Sequence, residues 1–193
     1  SSGAEAVKLQ KRDNKSLFTK VMYDSAYNSE NAYAPTYGKH REALEFGLDE
    51  YVELIKYAKE LNIAFFSTAF DMNSAEFLNS LDVPAFKIAS GDLTNVPLIT
   101  KVAEYGKPVI ISTGGGSMED VIRTYNAVKP ISNQIAFLQC TAGYPPAWEE
   151  LNLRAIETYR DALPDVVIGL SSHDSGIAMG PVAYVLGARI IEK

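Results

Sequence analysis

Short apolar runs alternate with helical patterns along most of the chain, and this alternation limits the possible folds more than any other feature. The runs predict seven strands, at residues 4–10, 63–68, 84–89, 107–112, 134–140, 166–171 and 188–193. From the second run onward they recur about every 21 to 32 residues, with a helical pattern in each interval. Repeated strand–helix units predict a parallel sheet with helices packed outside it.

Capping residues predict where the helices begin. Asn95 with Pro97 starts a helix that ends at Gly106, because asparagine caps and proline fits the first turn. The other predicted helices run from a cap at Asp49 to Leu61, over 74–80 after an Asn73–Glu76 capping box, from Ser117 with Asp120 to Pro130, from Glu149 to Ala162, and up to Leu186.

Two closures of such a sheet compete. A doubly wound sheet places its site at a switch point, whereas a (β/α)8 barrel places it in a ring at the strand ends. Polar residues end nearly every predicted strand, which favours the barrel: Lys8, Gln10, Thr68, Ser90, Asp92, Ser112, Thr141, Tyr144, Ser171 and His173. Barrels have eight strands and about 250 residues. We therefore expect a single, incomplete TIM-barrel domain over residues 1–193, with about seven strands and the first one missing.

Residues 11–48 form a long, polar connection that contains Tyr23, Tyr27, Tyr33 and Tyr37. A structureless loop of this length is uncommon in a compact domain. The tyrosines indicate order, either as a lid over a site or as a surface excursion with its own small core.

Composition excludes several classes of function. The chain has 193 residues, 47% of them hydrophobic, and a net charge of −6, which argues against non-specific binding to nucleic acid or anionic membranes. It has no apolar run long enough to span a bilayer. The single cysteine, Cys140, allows no internal disulfide and favours a reducing compartment, so we expect a cytoplasmic protein.

Lys8 and Lys87 each lie on the strand face opposite bulkier aliphatic residues. If the aliphatic faces meet helices, both ammonium groups and several hydroxyls point inward together. Close ammonium groups repel unless an anion is present, and lysines with hydroxyls suit a phosphorylated or carboxylated small substrate. The alternative is that each lysine extends to solvent at its strand end.

Other polar groups leave alternatives open. His173 follows a strand and fits a general acid/base, a metal ligand or a hydrogen-bonded structural histidine. The turn 114–116 fits either a phosphate cradle at a helix N-terminus or a plain tight turn. For His40 we expect a surface or loop-packing role, and for Cys140 inert packing.

Short motifs cover the chain in order: KLQ at 8–10, YGKHR at 37–41, LEF at 44–46, FKIASGD at 86–92, ISTG at 111–114, LQCT at 138–141, YP at 144–145, NLR at 152–154, GLSSH at 169–173 and GARIIEK at 187–193. Taken together, these motifs resemble the sialic acid (N-acetylneuraminate) synthase family. The resemblance implies a transferase that condenses phosphoenolpyruvate with N-acetylmannosamine, or a related amino sugar, and releases phosphate. It also implies a divalent cofactor, Mn²⁺ or Mg²⁺, and a homodimer in the full-length form.

The resemblance also assigns roles to residues. Lys8 and Ser112 would meet the phosphoenolpyruvate carboxylate. His173 would be a metal ligand. The phosphate would be held by Lys87, Ser90, Thr68 and Ser171, and the sugar or the reacting centre would be faced by Gln10, Asp92, Tyr144 and Asn31. Lys87, Asp92 and His173 are thus the expected catalytic residues.

The sequence departs from the family pattern at several points. The first strand with its glutamate, a second metal histidine and the C-terminal antifreeze-like domain are absent from residues 1–193. Ala142 stands where Asn or Ser is common, and Asp92 where many members have Glu. Two alternatives follow: a legionaminic or pseudaminic acid synthase, or a non-catalytic barrel fragment that binds phosphoenolpyruvate-like anions.

Overall fold

The computed structural model describes residues 3–193, which contain seven strands and nine helices. The strands are β1 (Ala6–Lys11), β2 (Ala64–Ala69), β3 (Phe86–Ile88), β4 (Val109–Ser112), β5 (Ile135–Cys140), β6 (Val167–Ser171) and β7 (Ile191–Glu192). The helices are α1 (Asn14–Leu17), α2 (Lys20–Asp24), α3 (Tyr37–Glu42), α4 (Leu48–Glu60), α5 (Met72–Ser80), α6 (Val96–Glu104), α7 (Met118–Val128), α8 (Ala155–Ala162) and α9 (Met179–Val185). Each strand overlaps a predicted one, so the parallel α/β class is confirmed.

The first of two compact units ends at Pro84. In it β1 and β2 pair in parallel, with Lys8 opposite Phe66 and Gln10 opposite Thr68. Buried Tyr51 of α4 ties both strands to the helix, because its hydroxyl lies 3.1 Å from Ser67 Oγ and donates to the Gln10 carbonyl at 3.3 Å.

The second unit begins at Ala85 and contains β3 to β7, which pair in parallel in chain order. All six residues of β5 are buried. Helices supply one side of this core through side chains such as Leu98, Ile99 and Ile156, which are at most 1% exposed. A strand buried on both faces reads as a continuous apolar run, which is typical of parallel sheets.

Two helix starts were wrong in the prediction. Helix α4 begins at Leu48 after Gly47, whose N–H donates to Glu50 Oε2 at 2.8 Å, so Asp49 lies inside the first turn instead of capping it. Helix α5 is capped by Asp71, whose Oδ1 accepts from Ser74 N at 2.7 Å. Asn73 is therefore helical, and its amide donates instead to Asp13 Oδ2.

The helix predicted from Glu149 is also shorter than expected. A 3₁₀ turn covers Trp148–Glu150, and α8 begins only at Ala155. Asn152 lies between them with φ of 47°, a left-handed conformation that an α-helix does not accommodate.

The long connection 11–48 is ordered by three short helices and a cluster of aromatic rings. Tyr37 contacts Phe18 edge-on at 5.1 Å between centroids and Tyr27 at 5.6 Å. His40 is buried and stacks on Tyr27 at 4.3 Å, and its Nδ1 accepts from Tyr33 N at 3.2 Å. His40 thus packs the loop, as predicted, and the segment has a small core of its own.

Helix α7 has the predicted capping box. Ser117 Oγ accepts from Asp120 N at 3.2 Å, while Asp120 Oδ2 accepts from Ser117 N at 2.9 Å. The Ser117 hydroxyl also donates to Asp120 Oδ2 at 2.8 Å. The two donors on Ser117, the N–H first and then the hydroxyl, lower the pKa of Asp120.

We expect Ser117→Ala to raise the pKa of Asp120, because one of its two donors is lost. A lowered pKa stabilises the fold above the unfolded-state value, and that stabilisation fades as pH falls through the folded-state value. An NMR titration of the Asp120 carboxyl in both proteins measures the shift, with Glu119 as the internal reference. An unchanged Asp120 titration would contradict the capping geometry.

No helix within residues 3–193 is long and apolar enough to cross a membrane.

Candidate active site

Lys87 is a buried ammonium in β3 with defined partners. It is 2% exposed. Its Nζ donates to the Ile88 carbonyl at 2.8 Å and to Ser112 Oγ at 2.6 Å, and it lies 3.7 Å from Glu192 Oε2. Burying a charge is costly unless it is paired and hydrogen-bonded. The alternative that Lys87 extends to solvent is therefore wrong, and the anion it requires is supplied within the chain.

Strand register explains this cluster. Lys87 pairs opposite Ile110, and Ser112 lies two residues further along β4, on the same face as Ile110. Glu192 of β7 pairs opposite Ser171 at the end of β6. Ser171 is 3% exposed. Polar groups from four strands thus meet at one end of this sheet.

Ser90 is held by the glycine turn that follows β4. Its Oγ accepts from Gly114 N at 3.0 Å. A Cβ on Gly114 would lie 2.9 Å from Ser90 Oγ and 3.2 Å from Cys140 Sγ, so a larger residue there would displace the Ser90 hydroxyl. Gly116 N donates to the Thr113 carbonyl at 3.1 Å. These bonds support the tight-turn interpretation of residues 114–116, and buried Cys140 packs against the turn.

His173 lies half-buried against the ring of Tyr144, with the two centroids 4.4 Å apart. The next residue anchors this loop, because Asp174 Oδ1 accepts from Lys193 Nζ at 2.7 Å and also from the Ser172 hydroxyl. These two donors, Lys193 first, hold the pKa of Asp174 below its usual value. The structure therefore places the rings of Tyr144 and His173 in contact.

His173 is the candidate metal ligand, and its surroundings test that role. Within residues 3–193, no group of three or more His, Cys, Asp or Glu side chains is arranged to hold a metal ion. Asp174 instead forms an ion pair with Lys193 Nζ at 2.7 Å. The described residues thus do not form a metal site by themselves.

The first unit, taken by itself, contains another pair of candidate residues. Lys8 Nζ donates to Thr68 Oγ1 at 3.2 Å, and Thr68 is 2% exposed. Gln10 is exposed and accepts from Arg12 at 2.6 Å through its side-chain oxygen. Asn31 is exposed in the loop, where its backbone N–H donates to Ser29 Oγ at 3.3 Å. Lys8 and Thr68 are thus joined, whereas Gln10 and Asn31 have separate partners.

Sequence reasoning missed Glu192 and the Asp174–Lys193 pair. Glu192 ends β7 and Lys193 follows it, while Asp174 lies in the loop after β6. The sequence does not show how β6 and β7 pair, so it could not show that these residues meet. The sequence did contain a clue to these residues. Glu192 and Lys193 directly follow a short apolar run, in the same way as the candidate residues Ser90 and Asp92 follow β3.

The family model described as the NeuB family matches residues 1–193. The chain belongs to the NeuB family.

Curated relatives agree with this assignment. Over 191 residues the chain is 41% identical to human N-acetylneuraminate-9-phosphate synthase, covering 99% of this chain and 53% of the relative. Over 198 residues it is 36% identical to N,N'-diacetyllegionaminic acid synthase of Legionella pneumophila, covering 100% of this chain and 55% of the relative. This NeuB-family chain therefore spans about half the length of these relatives.

Solved structures support the fold. N-acetylneuraminic acid (sialic acid) synthetase of Leptospira borgpetersenii, solved with citrate, matches with a TM-score of 0.85 at 29% identity, over 98% of this chain and 62% of that one. A truncated 3-deoxy-D-arabino-heptulosonate 7-phosphate synthase of Thermotoga maritima matches with a TM-score of 0.64 at 18% identity, over 77% and 60%. The second likeness concerns the fold alone.

Proposed function

We propose that the protein containing this chain condenses phosphoenolpyruvate with an N-acetylated amino sugar and releases phosphate, as a carbon–carbon bond-forming transferase. The observation that carries the proposal is Lys87, a buried ammonium bonded to Ser112 at the carboxyl end of a parallel sheet in a NeuB-family chain. N-acetylmannosamine is the sugar we propose first.

The reaction can be written in two steps. In the first step, the terminal CH₂ carbon of phosphoenolpyruvate attacks the aldehyde of the open-chain sugar, and the aldehyde oxygen takes up a proton. In the second step, water adds to the central carbon, which bears the phosphate. The bond between that carbon and the phosphate oxygen then breaks, which leaves a 2-keto acid and phosphate. Negative charge thus develops at two oxygens, and fixed positive or hydrogen-bonding groups at those positions would lower the barrier.

The residues of the second unit are assigned to this chemistry. Lys87 would neutralise the departing phosphate, with Ser90 and Ser171 as hydrogen-bonding partners, while Ser112 would meet the carboxylate. Asp92 and Tyr144 would face the sugar. In the first unit, Lys8 is assigned to the carboxylate and Thr68 to the phosphate, with Gln10 and Asn31 on the sugar.

A divalent metal, Mn²⁺ or Mg²⁺, belongs to the proposal through His173. When bound, it would supply Lewis-acid polarisation of the sugar aldehyde. His173 would contribute one nitrogen ligand, and the remaining ligands would come from outside the described residues.

The identity of the sugar has a second candidate form. The human relative is named for a 9-phosphate product. Phosphoenolpyruvate supplies three carbons of the product chain, so a phosphate at carbon 9 corresponds to carbon 6 of the sugar. N-acetylmannosamine 6-phosphate is therefore a candidate substrate beside N-acetylmannosamine. The amino-sugar precursors of legionaminic and pseudaminic acid are further candidates, because synthases of these acids are relatives at 36% and 34% identity.

Phosphate release by the full-length protein tests the proposed function. We expect release with phosphoenolpyruvate, Mn²⁺ and one of these sugars, in equal amounts with a nonulosonate detected by mass spectrometry. Omission of the sugar is the control for simple phosphoenolpyruvate hydrolysis. No turnover with any sugar, while phosphoenolpyruvate still binds, would overturn the enzyme assignment in favour of a non-catalytic anion-binding protein.

We also propose that the full-length protein is a homodimer in the cytoplasm. Light scattering coupled to size-exclusion chromatography measures the molecular mass, and a monomer at micromolar concentration would contradict the dimer.

A further inference from the structure

Asp92 lies at the end of the 3₁₀ turn Ser90–Asp92, directly after the strand that carries Lys87. Three residues on, Asn95 caps helix α6. Two hydrogen bonds join these residues: Asn95 Nδ2 donates to Asp92 Oδ1 at 3.1 Å, and Asn95 N donates to the Asp92 carbonyl at 2.9 Å.

The Asn95 amide therefore has two separable contacts. Its oxygen accepts from Leu98 N at 3.4 Å, which is the capping bond. Aspartate, serine and asparagine cap helices about equally well through a side-chain oxygen. An asparagine amide also presents an N–H₂ donor to a neighbouring carboxylate, which an ionised aspartate cannot do. The capping contact thus does not explain why the donor faces Asp92.

We propose that Asn95 is a positioning residue that fixes the Asp92 carboxylate as an oriented acceptor for a hydroxyl or amide N–H of the amino sugar. The inference rests on the proposed function, in which Asp92 faces the sugar. The aspartate side chain rotates about two torsion angles. The hydrogen bond from Asn95 to Asp92 Oδ1 restricts both of them, and this fixes the direction in which Oδ2 points. A fixed acceptor loses less conformational entropy when the sugar binds, so the affinity for the sugar rises.

Two variants of Asn95 separate positioning from helix capping. Glycine is accepted at an N-cap nearly as well as asparagine, so Asn95→Gly removes the donor to Asp92 at little cost to the helix. Asn95→Asp retains an oxygen for Leu98 N and also lacks the donor. We expect Asn95→Gly to raise the KM for the sugar about tenfold while the KM for phosphoenolpyruvate stays within about twofold. Asn95→Asp places a second carboxylate beside Asp92, so we expect a larger increase in the sugar KM.

A reciprocal exchange gives the sharper test. In the double variant Asp92→Asn/Asn95→Asp, the amide and the carboxylate trade places and one hydrogen bond between them is retained. We expect its thermal stability to be near that of the native protein, whereas its sugar KM remains high because the carboxylate has moved. Recovery of the native KM in this double variant would mean that only the local bond matters, and would overturn the proposal.

The outcomes also separate this inference from the proposed function. If the native protein turns over but Asn95→Gly leaves the sugar KM unchanged, the role of Asn95 is wrong and the synthase function stands. If the native protein shows no turnover, the synthase function is wrong. In that case a crystal structure of Asn95→Gly decides the positioning effect, and an unmoved Asp92 carboxylate would overturn it too.

Discussion

Replacing Lys87 with alanine is expected to abolish phosphoenolpyruvate binding by the full-length protein. The ammonium is buried and bonded to Ser112 Oγ. Truncation of a buried, hydrogen-bonded charge at a binding site costs about 2–5 kcal/mol, which is roughly a 30-fold to 5000-fold rise in Kd. Isothermal titration calorimetry with phosphoenolpyruvate measures the change, and an unchanged Kd would remove Lys87 from the proposed phosphate site.

Two further variants guard against a misfolded protein. Lys101→Ala removes a lysine that is paired with Glu104 on the exposed face of α6, so we expect native affinity. The double variant Lys87→Met/Glu192→Gln removes both charges of this pair, so the carboxylate does not remain where its ammonium has been removed. We expect it to melt near the native temperature and still not bind. Binding by this double variant would show that the anion contacts other groups.

Substituting alanine for Gly169 is expected to destabilise the protein by about 3 kcal/mol. Gly169 lies in β6, and an added Cβ would overlap the carbonyl oxygen of Ile190 and lie 2.5 Å from Leu138 Cδ2. The carbonyl belongs to the backbone that leads into β7, so it cannot rotate away as a side chain can. The midpoint of urea unfolding of the full-length protein, with the slope checked for constancy, measures the loss.

Gly180→Ala is the matched control for this substitution. Gly180 lies in α9, and its added Cβ would meet Ile191 Cγ2 at 3.7 Å, an ordinary contact. Alanine in a helix is more stable than glycine by about 0.5–1 kcal/mol. We therefore expect a small increase in stability for Gly180→Ala. A Gly169→Ala midpoint equal to that of the native protein would mean that the β6–β7 contact is looser than described.

The strands could be predicted from sequence because each is a short apolar run that the chain repeats. Helix starts were less predictable, since capping candidates lie close together and local geometry decides among them. Asp71 and Asn73 both have a capping side chain, and only the fold shows that Asp71 accepts from Ser74 N. The hydrophobic pattern around Asn152 also gives no indication of its left-handed backbone conformation, so the break before α8 could not be predicted.

Part of the candidate site could also be predicted, because the alternation of side chains along a strand is visible in the sequence. Strand parity placed Lys87 on an inward face and required an anion near it. The sequence could not name Glu192 as a partner, because the pair joins residues more than a hundred positions apart and depends on how the last strands align. The donor from Asn95 to Asp92 was hidden behind a capping role that fully accounted for an asparagine at that position.

In the proposed site, the pair of Lys87 and Glu192 would make phosphate binding an exchange of ion-pair partners. The phosphate would meet an ammonium whose charge is already balanced by a carboxylate 3.7 Å away, so its binding free energy would be the difference between two ion pairs. In the proposed reaction Lys87 would pair again with Glu192 as phosphate leaves. This restored ion pair would lower the affinity for the phosphate product, which favours product release and turnover.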